Sequence, residues 1–169
     1  MFRKLYPSED IDSVYRYDFK KLADEGFAAV LFDVDNTLVP HGAPADKRAI
    51  DFFEHLRKLG FVTCLISNNK EPRVKQFADK VGSKYIFKAG KPSKSGYEKA
   101  MEILNTNKEN TIFVGDQLFT DIWGANKAGI RSILVKPIHP KEEIQIILKR
   151  RLEWIVLLFY KRYKKKKEI

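Results

Sequence analysis

Short apolar runs recur along the chain and alternate with segments whose apolar positions fall three and four residues apart. Runs rich in Val, Ile, Leu, Phe and Ala predict strands at 27–33, 61–67, 84–87, 111–115 and 132–136. Unbroken apolar runs of this length suit strands covered on both faces. Between them, 46–59 places Ile50, Phe53 and Leu56 at helical spacing and stops at Gly60. A second helix is predicted to start near Pro72 and end at Gly82. A third follows Ser93 and carries Tyr97, Met101 and Leu104 on one side, and a fourth runs from about Thr120 to Gly129. The strand–helix alternation predicts an α/β fold: a Rossmann-like three-layer α/β/α arrangement around a central parallel sheet.

Ligands of such sheets bind beyond the carboxyl ends of the strands. Polar residues fall there in number. Asp33 and Asp35 end the first run within FDVDNTLV, Ser67-Asn68-Asn69 end the second, and Asp116 ends the fourth run in VGDQLFTD. Each has an ordinary structural explanation: an Asx-turn for the first, a loop for the second, a charged helix start for the last. Gly90-Lys91-Pro92 reads equally as a solvated turn. The joint arrangement is more specific than any one element. Two carboxylates beside a core with no adjacent base are costly unless something binds there.

At 169 residues, with 44% hydrophobic and 32% charged positions, the chain fits one globular domain with a substantial core. The single cysteine, Cys64, lies in an apolar run, which excludes an internal disulfide and predicts a buried, inert thiol. Met1-Phe2-Arg3-Lys4 leads into mixed polar sequence, so a reducing, cytoplasmic setting is expected. No run reaches the roughly 20 apolar residues of a membrane span. The net charge is +10, and it is uneven. Residues 141–169 hold ten Lys/Arg and four Glu, a net +6, which leaves +4 for the first 140 residues. An anionic partner is expected, and the tail makes most of the field.

In order and placement, these residues resemble the four motifs of the haloacid dehalogenase-like (HAD) phosphatases over about residues 27–137. Asp33-Val34-Asp35-Asn36-Thr37 resembles their first motif, Ser67 the second, Lys91 the third, and Asp116 with Asp121 the fourth. LFDVDNTLV, ISNNKEPRVKQFA, KAGKPS and VGDQLFTD together are similar to the YqeG-type branch, which is related to phosphatidylglycerophosphate phosphatases. The resemblance implies Mg²⁺-dependent hydrolysis of a phosphomonoester through an aspartyl-phosphate. Asp33 would be nucleophile and metal ligand. Asp35 would be acid and base, its carbonyl on the metal, with a pKa raised by the neighbouring Asp33 charge. Asp116 and Asp121 would complete the metal site. Thr37 would steady the loop, Ser67 and groups near Asn68 would hold phosphoryl oxygens, and Lys91 would neutralise developing charge. Arg73 is placed for a second phosphate, and His41 reads as a loop histidine that could face the site. About ten residues separate Asp35 from the first helix and about two dozen separate Ser67 from Lys91, so no cap domain fits.

Residues 1–140 thus read as the phosphatase domain, and 141–169 as an amphipathic basic helix with a lysine tail. Ile144, Ile147, Leu148, Leu152, Ile155, Leu158 and Phe159 form one helical stripe. Val156, Leu157 and Tyr160 fall on other sides, beside Trp154. Lys161-Arg162-Tyr163 and the lysines after it suit an anionic bilayer surface, and a core-packing or dimer helix remains the alternative. The leading expectation is an enzyme, peripheral on the inner face of the membrane, that dephosphorylates phosphatidylglycerophosphate. A soluble phosphatase of sugar phosphates or nucleotides, and a non-catalytic RNA- or ribosome-binding protein, are the alternatives. No nucleic-acid module accompanies the tail, so no specific nucleic-acid partner is expected.

Overall fold

The computed structural model describes residues 2–139 and 144–167, with side chains in the last helix described from Leu148 to Lys166. Six parallel strands form one sheet: β1 (Glu9–Ile11), β2 (Ala29–Phe32), β3 (Val62–Ile66), β4 (Lys84–Ile86), β5 (Thr111–Gly115) and β6 (Arg131–Val135). Their order is β1-β6-β5-β2-β3-β4. After β2 the chain winds outward through β3 and β4, then returns to place β5 on the other side of β2. The order reverses between β2 and β5, and that crevice is where a doubly wound sheet binds ligands.

Side chains on β2 alternate between two cores, as the pleat requires. Val30 and Phe32 pack with Phe52, Phe53 and Leu56 of α2 (Lys47–Lys58) and with Val74 and Phe77 of α3 (Glu71–Val81). Leu31 faces the opposite side, with Cys64, Phe113, and Tyr97 and Met101 of α4 (Ser95–Leu104). Asp46 caps α2 by accepting the Ala49 N–H at 2.8 Å, and Gly82 ends α3 with φ at +70°.

The amino-terminal segment completes the first core. β1 pairs with β6, and Phe19 and Leu22 of the short helix α1 (Phe19–Asp24) are fully buried. Neither element has a periodic pattern in the sequence. After β5 the chain makes a π-type turn over Leu118–Ile122 before α5 (Trp123–Ala128), where one continuous helix from Thr120 was predicted. Such turns re-aim side chains and are frequent at functional sites. The stretch from Asp33 to Asp46 holds only tight turns, so no cap is inserted there.

The last helix, α6 (Ile144–Lys167), packs on the domain with an unexpected face. Val156, Tyr160 and Glu153 are buried, with Val156 and Leu157 against Leu118, Ile122 and Leu134. The described part of the main predicted stripe points outward: Leu148 and Leu152 are each 58% exposed, Ile155 44% and Phe159 45%, while the Ile144 and Ile147 side chains lie outside the described residues. Val156, Leu157 and Tyr160, which fall outside that stripe, therefore make the packing face.

Candidate active site

β2 and β5 end side by side and deliver Asp33 and Asp116. Both are buried, at 8% and 2% exposure. Lys91, on the loop after β4, donates from Nζ to Asp33 Oδ1 and to Asp121 Oδ1, each at 2.7 Å. Asp121 is fixed from its other oxygen, which accepts the N–H groups of Asp116 and Gln117 at 3.1 Å. This close approach explains Gly115: a Cβ there would stand 2.6 Å from Asp121 Oδ2.

The Thr37 hydroxyl lies 3.3 Å from both Asp33 Oδ2 and Asp116 Oδ1. It has one proton for two acceptors, so these facing oxygens lack a full set of donors. Asp33, Asp116 and Asp121 each offer an oxygen within 4.8 Å of the others. A buried, all-oxygen donor set suits a hard divalent cation. The residues fit such an ion.

The other predicted residues converge on the same rim. A cavity of about 370 Å³ is lined by Asp33, Asp35, Ser67, Asn68, Lys91 and His41, with Gln117, Thr120 and Lys149 closing it. Ser67 Oγ accepts the Asn69 N–H at 3.1 Å and keeps its own proton to donate. The Asn68 amide exchanges two hydrogen bonds with the Lys91 main chain, at 2.8 and 3.1 Å, and so sets where Lys91 stands. A larger cavity, about 510 Å³, lies beyond Arg150 between α6 and the ends of β1 and β6, away from Asp33 and Lys91.

Arg73 is drawn elsewhere than expected. It donates to Asp35 Oδ1 at 2.9 Å and does not line the cavity; the same oxygen accepts the Gly42 N–H at 2.8 Å. Burial works to raise the Asp35 pKa, but Arg73, the Gly42 N–H and His41 outweigh it and hold the carboxyl below its usual range. The sequence reading had the Asp33 charge raising it; the guanidinium wins because it touches the carboxylate directly. Asp33 and Asp116 are raised instead, and burial raises Glu153 as well. Burial pushes Asp33 up to about 6, with Lys91 opposing and the Asp121 charge adding. Burial, then the Asp33 and Asp121 charges, lift Asp116 well above the usual range against the pull of Arg150.

Three residues of α6 at the site were not read from the sequence: Lys149 on the cavity wall, and the pair Arg150 and Glu153. Arg150 of α6 donates to the Asp116 side chain and main-chain carbonyl, and pairs with Glu153 at 3.1 Å. Glu153 accepts the Leu118 N–H at 2.8 Å, which ties the start of the π-type turn to α6. A lone acid between Leu152 and Trp154 was the available signal.

The family model for haloacid dehalogenase-like hydrolases matches residues 42–129. The chain is 33% identical over 164 residues to the "Probable phosphatase YqeG" of Bacillus subtilis (strain 168), covering 96% of this chain and 95% of the relative. The chain belongs to the haloacid dehalogenase-like hydrolases, in their YqeG branch. It is a phosphatase of that family, with its motifs gathered at one rim. A second relative is the phosphatidylglycerophosphate phosphatase 1, chloroplastic/mitochondrial, of Arabidopsis thaliana, 26% identical over 162 residues. The match covers 89% of this chain and 47% of that protein. Among solved structures, an uncharacterized protein from Listeria monocytogenes superposes with a TM-score of 0.55 at 20% identity, covering 69% of this chain and 85% of the other. The cobalt-bound deoxy-D-mannose-octulosonate 8-phosphate phosphatase of Haemophilus influenzae gives 0.54 at 14%, covering 68% and 70%. At these identities the likeness is one of fold.

Proposed function

We propose that this YqeG-branch phosphatase hydrolyses the phosphomonoester of phosphatidylglycerophosphate at an anionic membrane surface. The observation that carries the reading is the outward apolar row of α6, on the helix that also enters the catalytic rim. Leu148, Leu152, Ile155 and Phe159 face away from the domain, and exposed Lys161, Arg162 and Lys164 to Lys166 follow. An apolar face with adjacent lysines suits an interfacial helix on acidic lipid, where each basic residue contributes roughly 1 kcal/mol. The Arabidopsis relative acts on that lipid, and the open rim leaves room for a head group. In this scheme residues 1–140 carry the reacting groups and 141–169 the membrane contact, with Arg150 and Glu153 of α6 bracing the rim. Among the described residues no helix is long and apolar enough to cross a membrane; the proposed contact is peripheral, at the inner face.

In the proposed mechanism Asp33 attacks phosphorus; the Asp33 oxygen–phosphorus bond forms as the ester bond breaks. Ser67 and nearby main-chain N–H groups hold phosphoryl oxygens, and Lys91 offsets their charge. Asp33 and Asp116, with the Asp35 carbonyl and with Asp121 behind, would hold Mg²⁺, which supplies charge neutralisation for the dianion. Asp35 gives a proton to the leaving oxygen, then takes one from the water that cleaves the aspartyl-phosphate. Its ionised state beside Arg73 suits the second half. The first half needs the Arg73 contact released and a proton taken up.

The test is a substrate panel. Purified protein with Mg²⁺ is given phosphatidylglycerophosphate in anionic vesicles, glycerol 3-phosphate, sugar phosphates and nucleotides. A clear preference for the lipid is expected, and Asp33→Asn abolishes all hydrolysis. Equal rates on every ester would overturn the lipid reading. Hydrolysis persisting in Asp33→Asn would overturn the mechanism.

A further inference from the structure

Among the described residues four Lys and Arg side chains stand at or beside the catalytic rim, and three are committed to carboxylates. Lys91 is held between Asp33 and Asp121, Arg73 is on Asp35, and Arg150 bridges Asp116 and Glu153. Lys149 is different. It lines the cavity with Asp33 and Ser67, it is exposed, and no carboxylate among the described residues pairs with it.

Its position follows from helix geometry. Lys149 lies four residues before Glu153 and seven before Val156, so it continues the inward face of α6 by one and two turns. Where Val156 meets the domain the face is packed; where Lys149 stands it overhangs the cavity. Leu148 beside it belongs to the outward row, so the same turn of helix borders both the catalytic cavity and the apolar surface.

We propose that Lys149 is a specificity-determining residue that binds a second phosphate on the substrate, the phosphodiester that links a phosphorylated head group to its lipid. The inference rests on the lipid reading above and names the group that distinguishes this substrate from simple phosphomonoesters. The charge balance leaves Lys149 available for such a group. Lys91 and a divalent cation answer the dianionic monoester, while Arg73 and Arg150 already answer Asp35 and Asp116. A second anionic group near the mouth needs its own cation, and Arg73, which the sequence nominated, is drawn off by Asp35. A flexible ammonium suits a phosphate that approaches with the membrane surface rather than in one fixed pose.

The experiment compares two water-soluble esters on the full chain with Mg²⁺. Deacylated phosphatidylglycerophosphate carries both phosphates, and glycerol 3-phosphate carries the monoester alone. The wild type should favour the first in kcat/KM. Lys149→Gln should lower that preference about tenfold, mostly through KM, a loss of the size expected for one charge-assisted contact. Lys149→Glu should lower it further. A wild type that hydrolyses both esters without preference would overturn the lipid reading, and this inference with it. A wild type that prefers the two-phosphate ester, with Lys149→Gln and Lys149→Glu preferring it equally, would overturn the assignment of Lys149 alone.

Discussion

Arg150 grips Asp116 at two points, its carboxylate and its main-chain carbonyl, across 34 residues of sequence. A helix read as an appendage thereby holds a carboxylate of the candidate metal site. Asp116 is fully buried at its side chain, so its charge needs a partner before any cation arrives. Arg150→Met should lower the stability of the metal-free protein by about 1–3 kcal/mol, less than a fully buried pair because Arg150 is 21% exposed. Thermal denaturation in EDTA and in Mg²⁺ measures this. The variant should show the larger Mg²⁺-induced rise in Tm, since the ion then offsets an uncompensated charge. An unchanged Tm in both buffers would show the pair to be inert.

Lys91 is the converse case, a buried cation between two acids with a side chain 4% exposed. Burial alone would favour loss of its proton, but Asp121 and Asp33 outweigh it and raise the pKa, so it stays charged throughout the working range. Lys91→Met should reduce kcat by about 10²–10³, the range for loss of one group aimed at developing charge. It should also destabilise the metal-free fold by about 3–5 kcal/mol as Asp33 and Asp121 repel. Steady-state kinetics and urea melts read the two effects separately.

Gly115 tests the packing of the site through a residue that carries no functional group of its own. A methyl at this position would meet the Asp121 carboxyl at 2.6–2.7 Å, and that carboxyl is held by Lys91 and two N–H groups. It cannot give way cheaply. Gly115→Ala should cost about 1–3 kcal/mol by overpacking and lower kcat by displacing Asp121. Wild-type melts and rates in the variant would show that Asp121 has slack.

What was legible in the sequence follows the same physics. β2, β3 and β5 are covered on both faces, so their apolar runs stood out; β2 and β3 led into the cavity residues Asp33 and Ser67, and β5 into Asp116 beside Asp33. β1, Glu9–Ile11, is a three-residue edge strand with two acids, and α1 spans only Phe19–Asp24. Neither is long enough to show a period. The order Asp33, Ser67, Lys91, Asp116, Asp121 marked the rim because local motif and strand end coincide. The roles of Arg73, Lys149, Arg150 and Glu153 depend on tertiary partners. On α6, Arg150 was counted only in the net charge, and Leu148 and Leu152 as part of one helical stripe whose partner stayed open. The turn of the helix that separates them is set by where Val156 and Tyr160 find the domain.

Cys64 offers a pH-resolved check on the second core. The thiol is fully buried, and burial pushes its pKa up to about 12 from 9.0. The folded state keeps this proton above pH 9 while the unfolded state loses it. Stability should therefore fall as pH rises from about 9 toward 12, and be unaffected by this group below that window. At pH 8 the native protein should not react with a thiol reagent such as Ellman's, and one equivalent should react in denaturant. Rapid native labelling would place Cys64 in a fluctuating region.

Removing α6 should damage more than membrane contact. Glu153 holds the Leu118 N–H and Arg150 holds Asp116, while Val156 covers Leu118, Ile122 and Leu134. Truncation after Pro140 should therefore lower activity on soluble esters as well as on vesicles. The membrane role needs a gentler change. Leu152→Ser with Ile155→Ser alters only the outward row, so the double variant should keep its melting temperature yet co-sediment less with anionic vesicles. Its rate on phosphatidylglycerophosphate in vesicles should fall about tenfold relative to its rate on deacylated substrate, a ratio equivalent to about 1.4 kcal/mol of lost surface affinity. Undiminished co-sedimentation would assign that face to something other than lipid.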